Sequence, residues 1–487
     1  MTLQIDRRRL LGAGMLAGAS LLLPPEKAFA AMLPADWTLG VADVEADVAP
    51  AAMRRVHGRA PAALNGVLYR NGPAKFRRAG GNATHWFDGD GLVRRFAIAD
   101  GEARVAARFV DTEKRRQETK AGAVILPGFG TPGRAGAVMT GPDSANAANT
   151  SVMMAGGELW ALWEAGSAYR LDPETLATRG PNTFRPDLAQ MPFLAHPRVE
   201  PDGTVWNLGL NGRQAIVWKL HPDGGLASAT PLQLPQASYI HDFTATARHL
   251  VIVLQPWVQA RSAMPFSAAF DWRPAEGTQV LVVDKDDLSR TRLFEVPAFS
   301  FFHLGDAWEE SDGTIRFDGC VSDDPGFAIR EASDLLLGKV SPVPTPHLAM
   351  IALHADGRGE LLRTDVAAEF PQTDRRRAGL RRRFTAFAGL YNKARPLARG
   401  VGVYDWQRGA ARTFDFGNRQ LVEEFLFVPH GAAEDAGWLV GTTVNLDARA
   451  TELHVLDART VEAGPVATWR ADVALPVGFH GTFRALG

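Results

Sequence analysis

Cysteine is nearly missing from this chain: Cys320 is the single thiol in 487 residues. One thiol excludes a disulfide framework and any cysteine-ligated zinc or iron–sulfur site. A surplus of charge is missing too, with 53 Lys and Arg against 54 Asp and Glu and a formal net charge of −1. Phosphate neutralisation needs an excess of cations, so no nucleic-acid partner is expected. Beyond residue 30 no apolar run reaches the roughly 18 residues of a membrane-spanning helix. Long helix-period stretches and low-complexity tracts are likewise absent, and 46% hydrophobic content is ample for a core. Present in quantity are 48 Gly, 31 Pro and 12 His, and with one cysteine a metal site would be unusually reliant on histidine. Length alone suggests roughly three domains.

The first thirty residues read as an address. Arg7, Arg8 and Arg9 precede an apolar stretch, Leu10 to Leu23, and Ala28-Phe29-Ala30 supplies a small-x-small cleavage signal. DRRRLL resembles the twin-arginine export signal, whose pathway moves folded proteins. An ordinary secretory signal is the alternative. The expectation is an exported, periplasmic protein with residues 1–30 removed, its metal loaded before export, and 31–487 as one domain.

That domain carries strand and turn punctuation. Short apolar runs such as Leu250–Leu254 and Gln279–Val283 are bounded by Gly, Pro, Asp and Asn. A strand-to-Asp junction recurs at Asp100, Asp172, Asp223, Asp284, Asp356, Asp405 and Asp457, at intervals of 49 to 72 residues. Each interval holds a four-stranded sheet plus an insertion, the unit of a propeller blade. Strand–Asp–turn is common in any β protein. Its recurrence over the whole mature chain predicts an all-β, seven-bladed β-propeller.

Most histidines sit in polar contexts and are expected at the surface: His57, His221, His249, His347, His354, His430 and His454. Four lie within or at the ends of strand-like runs: His196 in FLAHPRV, His241 in SYIHDF, His303 in SFFHLG and His480 in VGFHGTF. A histidine on an apolar strand is ordinarily a satisfied core residue. These four are separated by 45, 62 and 177 residues, near one, one and three repeats, so they fit convergence on an axis. Four neutral imidazoles suit Zn, Cu, Fe or Ni. Carboxylates accepting the other ring N–H would fix each tautomer. Glu164, Glu369 and Glu424 stand beside apolar residues and fit that task, with Glu423 competing for the last place.

At these residues the sequence resembles the carotenoid cleavage oxygenase family. The resemblance runs from LNGVLYRNGP (64–73) and HWFDGDGLVRRF (85–96) through NTSVMM and LWALWEAGSAYRLDPETL to GFHGTF. HPRV, IHDF, FFHLGDAWEE and GFHGTF match the family's iron-binding positions one by one. The resemblance implies a seven-bladed propeller with one Fe(II) on its axis, held by His196, His241, His303 and His480, under an apolar cap of loops and helices. It places Glu164, Glu369 and Glu424 as the carboxylates that orient three of these ligands, EFLFVP aligning with the family's EPxFVP. Two departures, Phe425 for the usual Pro and Asp111-Thr112 for an Arg-Thr pair, bear on packing. His85 falls outside the ligand positions and is expected to serve its loop.

By the same resemblance, O₂ is the co-substrate and a conjugated C=C bond is cleaved into two carbonyl products. The catalytic set is the four histidines, and an apolar tunnel, with Trp163, Phe129 and Phe302 on its wall, selects the double bond. Stilbene-cleaving relatives bind a phenol through a Lys before the first of these glutamates and a Tyr upstream. Here those places hold Trp163 and PGFGTPG (127–133), which has no Tyr. The expected substrate is therefore an apolar polyene, a carotenoid or apocarotenoid, with a stilbene as the alternative. AVILPGF (123–129) and MPFSAAF (264–270) are expected either as membrane-dipping lips of the tunnel or as buried loops. DRRRAGLRRRF (374–384) is expected as a solvated face or a headgroup contact. A calcium or zinc propeller hydrolase and a non-catalytic binding scaffold are the competing classes, separable by metal analysis. The pattern sets no oligomeric state.

Overall fold

A computed structural model describes residues 36–391 and 396–486. The export-signal segment, residues 1–30, lies outside the described residues. The long apolar runs of the sequence become strands buried on both faces, as His249–Leu254 shows. Its Val251 and Val253 pack with Phe301 and Phe317 on one side. Leu250, Ile252 and Leu254 pack with Leu208 and Val217 on the other. Side chains alternate across a strand, so an unbroken apolar run is what a sheet needs when it is sandwiched between two neighbours.

Seven such sheets follow one another around a ring. Blade 1 comprises Gly481–Ala485, Gly66–Arg70, Leu92–Ala99 and Glu102–Phe109. Blade 2 runs from Ser151–Ala155 to Thr178–Pro181, blade 3 from Arg198–Val199 to Leu226–Gln233, and blade 4 from Thr244–Ala245 to Thr291–Val296. Blade 5 opens on Ser300–Glu309, and blade 7 runs from Gln420–Pro429 to Pro465–Arg470. The strand Gly359–Gln372 serves two blades. Its first half pairs with His347–Leu353 as the outer edge of blade 5, and its end pairs with Phe384–Gly389 as the inner edge of blade 6. An apolar cluster fills each of the seven gaps between blades. The C-terminal strand Gly481–Ala485 pairs antiparallel with Gly66–Arg70 and closes the ring.

The seven aspartates of the sequence repeat all stand at the same turn, between the third and fourth strands of successive blades. In six of them the carboxylate accepts a backbone N–H two residues on, as Asp172 does from Glu174 and Asp405 from Gln407. Asp favours turns for this reason, which is why the repeat is visible in the sequence.

Several surface expectations change. His454 is buried in blade 7, between the Thr443 and Thr468 hydroxyls, both at 2.9 Å. Burial pushes its imidazole down to about 3. His249 is half-buried and bonded to Glu309. The basic run 374–384 is largely at the surface, with only Asp374 and Arg382 buried: Arg382 pairs with the buried Asp318, Arg383 with Asp405, and Arg376 with Asp374. Ala123 to Leu126 are buried, so the first proposed lip is a packed loop. Met264 is exposed on the second, while Phe266 and Phe270 stack inward on Tyr239.

Candidate metal centre

The blades converge on the axis, and each contributes one functional side chain, from or beside its inner strand except in blade 2, where it follows the second strand. His480 immediately precedes the inner strand of blade 1, and His196 lies two residues before that of blade 3. His241 leads into blade 4 and His303 lies on the inner strand of blade 5. Blades 2, 6 and 7 supply the three carboxylates, Glu164, Glu369 and Glu424.

One nitrogen from each of the four imidazoles lies within 4.8 Å of the others. His196 Nε2 is 3.0 Å from His241 Nε2, and His303 Nε2 is 3.0 Å from His480 Nε2. The opposite ring nitrogens face acid. His303 Nδ1 donates to Glu369 at 2.6 Å, His480 Nδ1 to Glu424 at 3.1 Å, and His241 Nδ1 to Glu164. His196 has no such carboxylate among the described residues. With Nδ1 protonated, the Nε2 lone pairs of His303 and His480 face each other at hydrogen-bond distance with no proton between them. That arrangement is repulsive unless a cation lies among the four nitrogens, so the donor set fits a metal ion. Burial depresses the imidazoles of His196 and of His480, the latter to about 4, which keeps them neutral as ligands must be. Burial also works against a charge on His241, but the adjoining Glu164 outweighs it and holds that imidazole up.

Glu424 is the strand-borne carboxylate that meets His480. It also accepts bonds from Gln372 at 2.9 Å and from the Gly481 N–H at 2.8 Å. Glu423 points to the other face, where Arg70 and Thr442 hold it at 2.7 and 3.0 Å. Sequence reasoning passed over Arg70, which is fully buried and also donates to the carbonyls of Glu424 and Phe479. It thereby ties the carboxylate strand to the segment that ends in His480. Tyr239, donating to Glu164 at 3.0 Å, was missed as well. So was the Arg198–Asp242 pair at 2.7 Å, in which Asp242 also accepts the Leu304 N–H. That pair links the residues next to His196, His241 and His303. A charged side chain inside an apolar motif, such as Arg in GVLYRNGP, was the available signal.

Two cavities meet at the histidines. The wider one, about 430 Å³, is the more polar of the two and reaches His196, Arg198, Asp306, Arg375 and Glu424. The narrower, about 170 Å³, is apolar and reaches His241, His303 and His480. Phe129, Trp163 and Phe302 line it, with Phe87, Phe327 and Phe479. The HWFDGDG motif builds part of this wall. Asp88 accepts the N–H groups of Phe129, Gly130 and Thr131 at 2.6 to 3.0 Å, fixing the loop that presents Phe129. His85 accepts from Phe87 N and donates to Ala328 O at 2.8 Å, so its role is the structural one expected.

Comparison with known proteins agrees with this geometry. The family model described as retinal pigment epithelial membrane protein matches residues 41–485. Apocarotenoid-15,15'-oxygenase of Synechocystis sp. is 29% identical over 484 residues, covering 92% of this chain and 94% of that protein. Isoeugenol monooxygenase of Pseudomonas putida is 27% identical over 454 residues, covering 88% and 94%. The crystal structure of cobalt-substituted Synechocystis apocarotenoid oxygenase superposes with a TM-score of 0.84 at 26% identity, covering 93% of this chain and 99% of that one. A seven-bladed ring whose axis gathers four histidines, matched by the family model over nearly its whole length, places this chain in the retinal pigment epithelial membrane protein family, the carotenoid cleavage oxygenases.

Proposed function

We propose that the chain is an Fe(II)-dependent oxygenase that uses O₂ to cleave a conjugated C=C bond of a carotenoid or apocarotenoid into two carbonyl products. The observation that carries this reading is the all-nitrogen donor set opening onto an apolar cavity. Iron held by His196, His241, His303 and His480 supplies the binding and activation of O₂. Glu164, Glu369 and Glu424 hold the Nδ1 protons of three imidazoles, so each keeps its Nε2 lone pair aimed at the centre. Phe129, Trp163 and Phe302 exclude water and present a flat conjugated substrate to that centre. Next to the histidines the substrate is positioned by packing against these aromatic side chains. A calcium-dependent hydrolase would place carboxylates among the nearest donors; here all three carboxylates engage the far side of the rings.

Trp163 stands beside Glu164 where stilbene-cleaving relatives carry a cation, which favours a polyene over a stilbene. Exposed Ile329, Leu337 and Val340 follow the cavity-lining Phe327 in the chain and suit contact with the membrane that stores such a substrate. Aerobic incubation of the iron-loaded protein with a panel of carotenoids, apocarotenals and stilbenes tests the reading. Aldehyde or ketone fragments from the polyenes are expected; cleavage of stilbenes alone overturns the substrate class, and no carbonyl product from any of them overturns the activity. The proposal includes export as one domain, residues 31–487, after removal of the twin-arginine-like segment. Replacing Arg8 and Arg9 with lysine is expected to leave the precursor in the cytoplasm; unchanged export contradicts that route.

A further inference from the structure

The apolar cavity has a polar wall that the proposed reaction leaves without a task. Most oxygen-bearing side chains buried there are already engaged. Glu164 and Glu369 hold histidines. Ser300 donates to Gln255 at 2.9 Å, Ser322 to the Asp324 carbonyl at 2.8 Å, and Asp324 accepts the Gly326 N–H at 2.6 Å. Glu331 and Tyr391 differ: both line the cavity, and neither makes a hydrogen bond with any described residue. Glu331 is only 5% exposed. A carboxyl so deeply buried without a partner is rare and calls for a ligand.

Its position is fixed. Glu331 ends the wide π-helical turn Phe327–Glu331, which His85 pins through the Ala328 carbonyl. Phe327 of the same turn packs on Phe302 and Phe87 in the cavity. Burial, with the Asp334 carboxylate nearby, raises the Glu331 carboxyl to about 7. Burial raises the Tyr391 phenol well above its usual value, and the charges of Glu369, Cys320 and Glu331 add to this. Tyr391 lines the same cavity as Glu331, Glu369 and His303.

We infer that Glu331 and Tyr391 form a recognition subsite for a hydroxyl group on the substrate, Glu331 accepting the hydroxyl proton and Tyr391 donating to its oxygen. This rests on the proposed oxygenase reading and narrows it: the preferred conjugated substrate carries an alcohol or a phenol. A bare hydrocarbon would leave both groups unpaired in an apolar wall, the situation in which a site rejects the analogue that lacks the hydroxyl. Glu331 and Tyr391 supply a polar handle in the cavity that Trp163 does not offer.

Binding without O₂ tests the inference apart from turnover. Dissociation constants are measured by quenching of the protein's tryptophan fluorescence with two matched pairs: an apocarotenal with and without a ring hydroxyl, and stilbene with and without a 4-hydroxyl. The hydroxylated member of at least one pair is expected to bind about tenfold or more tightly, the worth of a hydrogen bond to a charged group. Glu331→Gln and Glu331→Leu are expected to bring that ratio near one, and Tyr391→Phe to lower it severalfold. The pair that shows the preference tells an alcohol on a polyene from a phenol. Equal binding within both pairs, a preference that survives both Glu331 variants, or no binding of either pair overturns the subsite. Kinetics on the same pairs with iron and O₂ separates the two readings. A hydroxyl preference in binding with no cleavage removes the oxygenase reading and keeps the subsite, whereas cleavage without preference does the reverse.

Discussion

Adjacent side chains on an extended strand point to opposite faces, and Glu423 and Glu424 divide their work accordingly. Glu424 faces the axis and His480; Glu423 faces the buried Arg70. Glu424→Gln is therefore expected to weaken iron binding about 10- to 100-fold, read by competition with a chelator, with little change in unfolding. Glu423→Ala is expected to lower stability by about 3 kcal/mol, read by denaturant unfolding, because it strands a buried guanidinium. Exchange of these two outcomes would mean that the strand register is wrong. His454 gives a second residue-scale test. Its native imidazole stays neutral down to about 3, whereas the unfolded chain protonates it below about 6.5. Its contribution is full above pH ~6.5 and is lost as pH falls toward 3, by about 1.4 kcal/mol per pH unit. Between pH 6.5 and 4.5 the native protein should lose about 2–3 kcal/mol more than His454→Gln; equal losses would place His454 in water. The four histidines and three glutamates stood out because each sits in or beside an apolar run where an ionisable group is conspicuous, and the family resemblance singled out the set, Glu424 over Glu423 included. His454 sits in a similar run, LHVLD, and was read as exposed because its threonine partners lie on neighbouring strands, 11 and 14 residues away.

Among the elements, the turn after each third strand was the most legible feature, because Asp satisfies the same backbone groups in blade after blade. The shared strands were not legible. Gly359–Gln372 reads as one strand, and only its pairing shows that it ends one blade and begins the next. Val48–Gly58, bridging the outer strands of blades 1 and 7, is largely exposed and carries no apolar alternation to announce it. The loop 128–131 illustrates how a motif acts through an element. Three N–H groups converge on the Asp88 carboxylate, so Asp88→Ala leaves them unpaired in a packed region. The expected loss is about 2–4 kcal/mol of stability, with a severalfold rise in KM for the apolar substrate as Phe129 loses its fixed position. A rise in KM without destabilisation would show that the loop is held by other contacts.

Across the whole molecule, the two ends of the sequence build one blade. Gly481–Ala485 lies against Gly66–Arg70, and the closing strand begins one residue after His480. Ring closure and assembly of the metal centre are thus the same event, and Arg70 fastens both by holding the carbonyls of Glu424 and Phe479. Contacts such as Arg70 to Glu423, 353 residues apart, have no local signature, which is why the sequence showed the ligands more clearly than what holds them. All seven blades contribute to the axis, four with imidazole and three with carboxylate, so the centre is a property of the closed ring. The central claim is that this ring holds one iron. The most direct measurement is the metal content of the full chain after anaerobic loading with Fe(II) and removal of free metal. About one iron per chain, lost in His241→Ala while the variant stays folded, is the predicted result. Calcium or zinc at that stoichiometry, no bound metal, or iron retained by His241→Ala would contradict it.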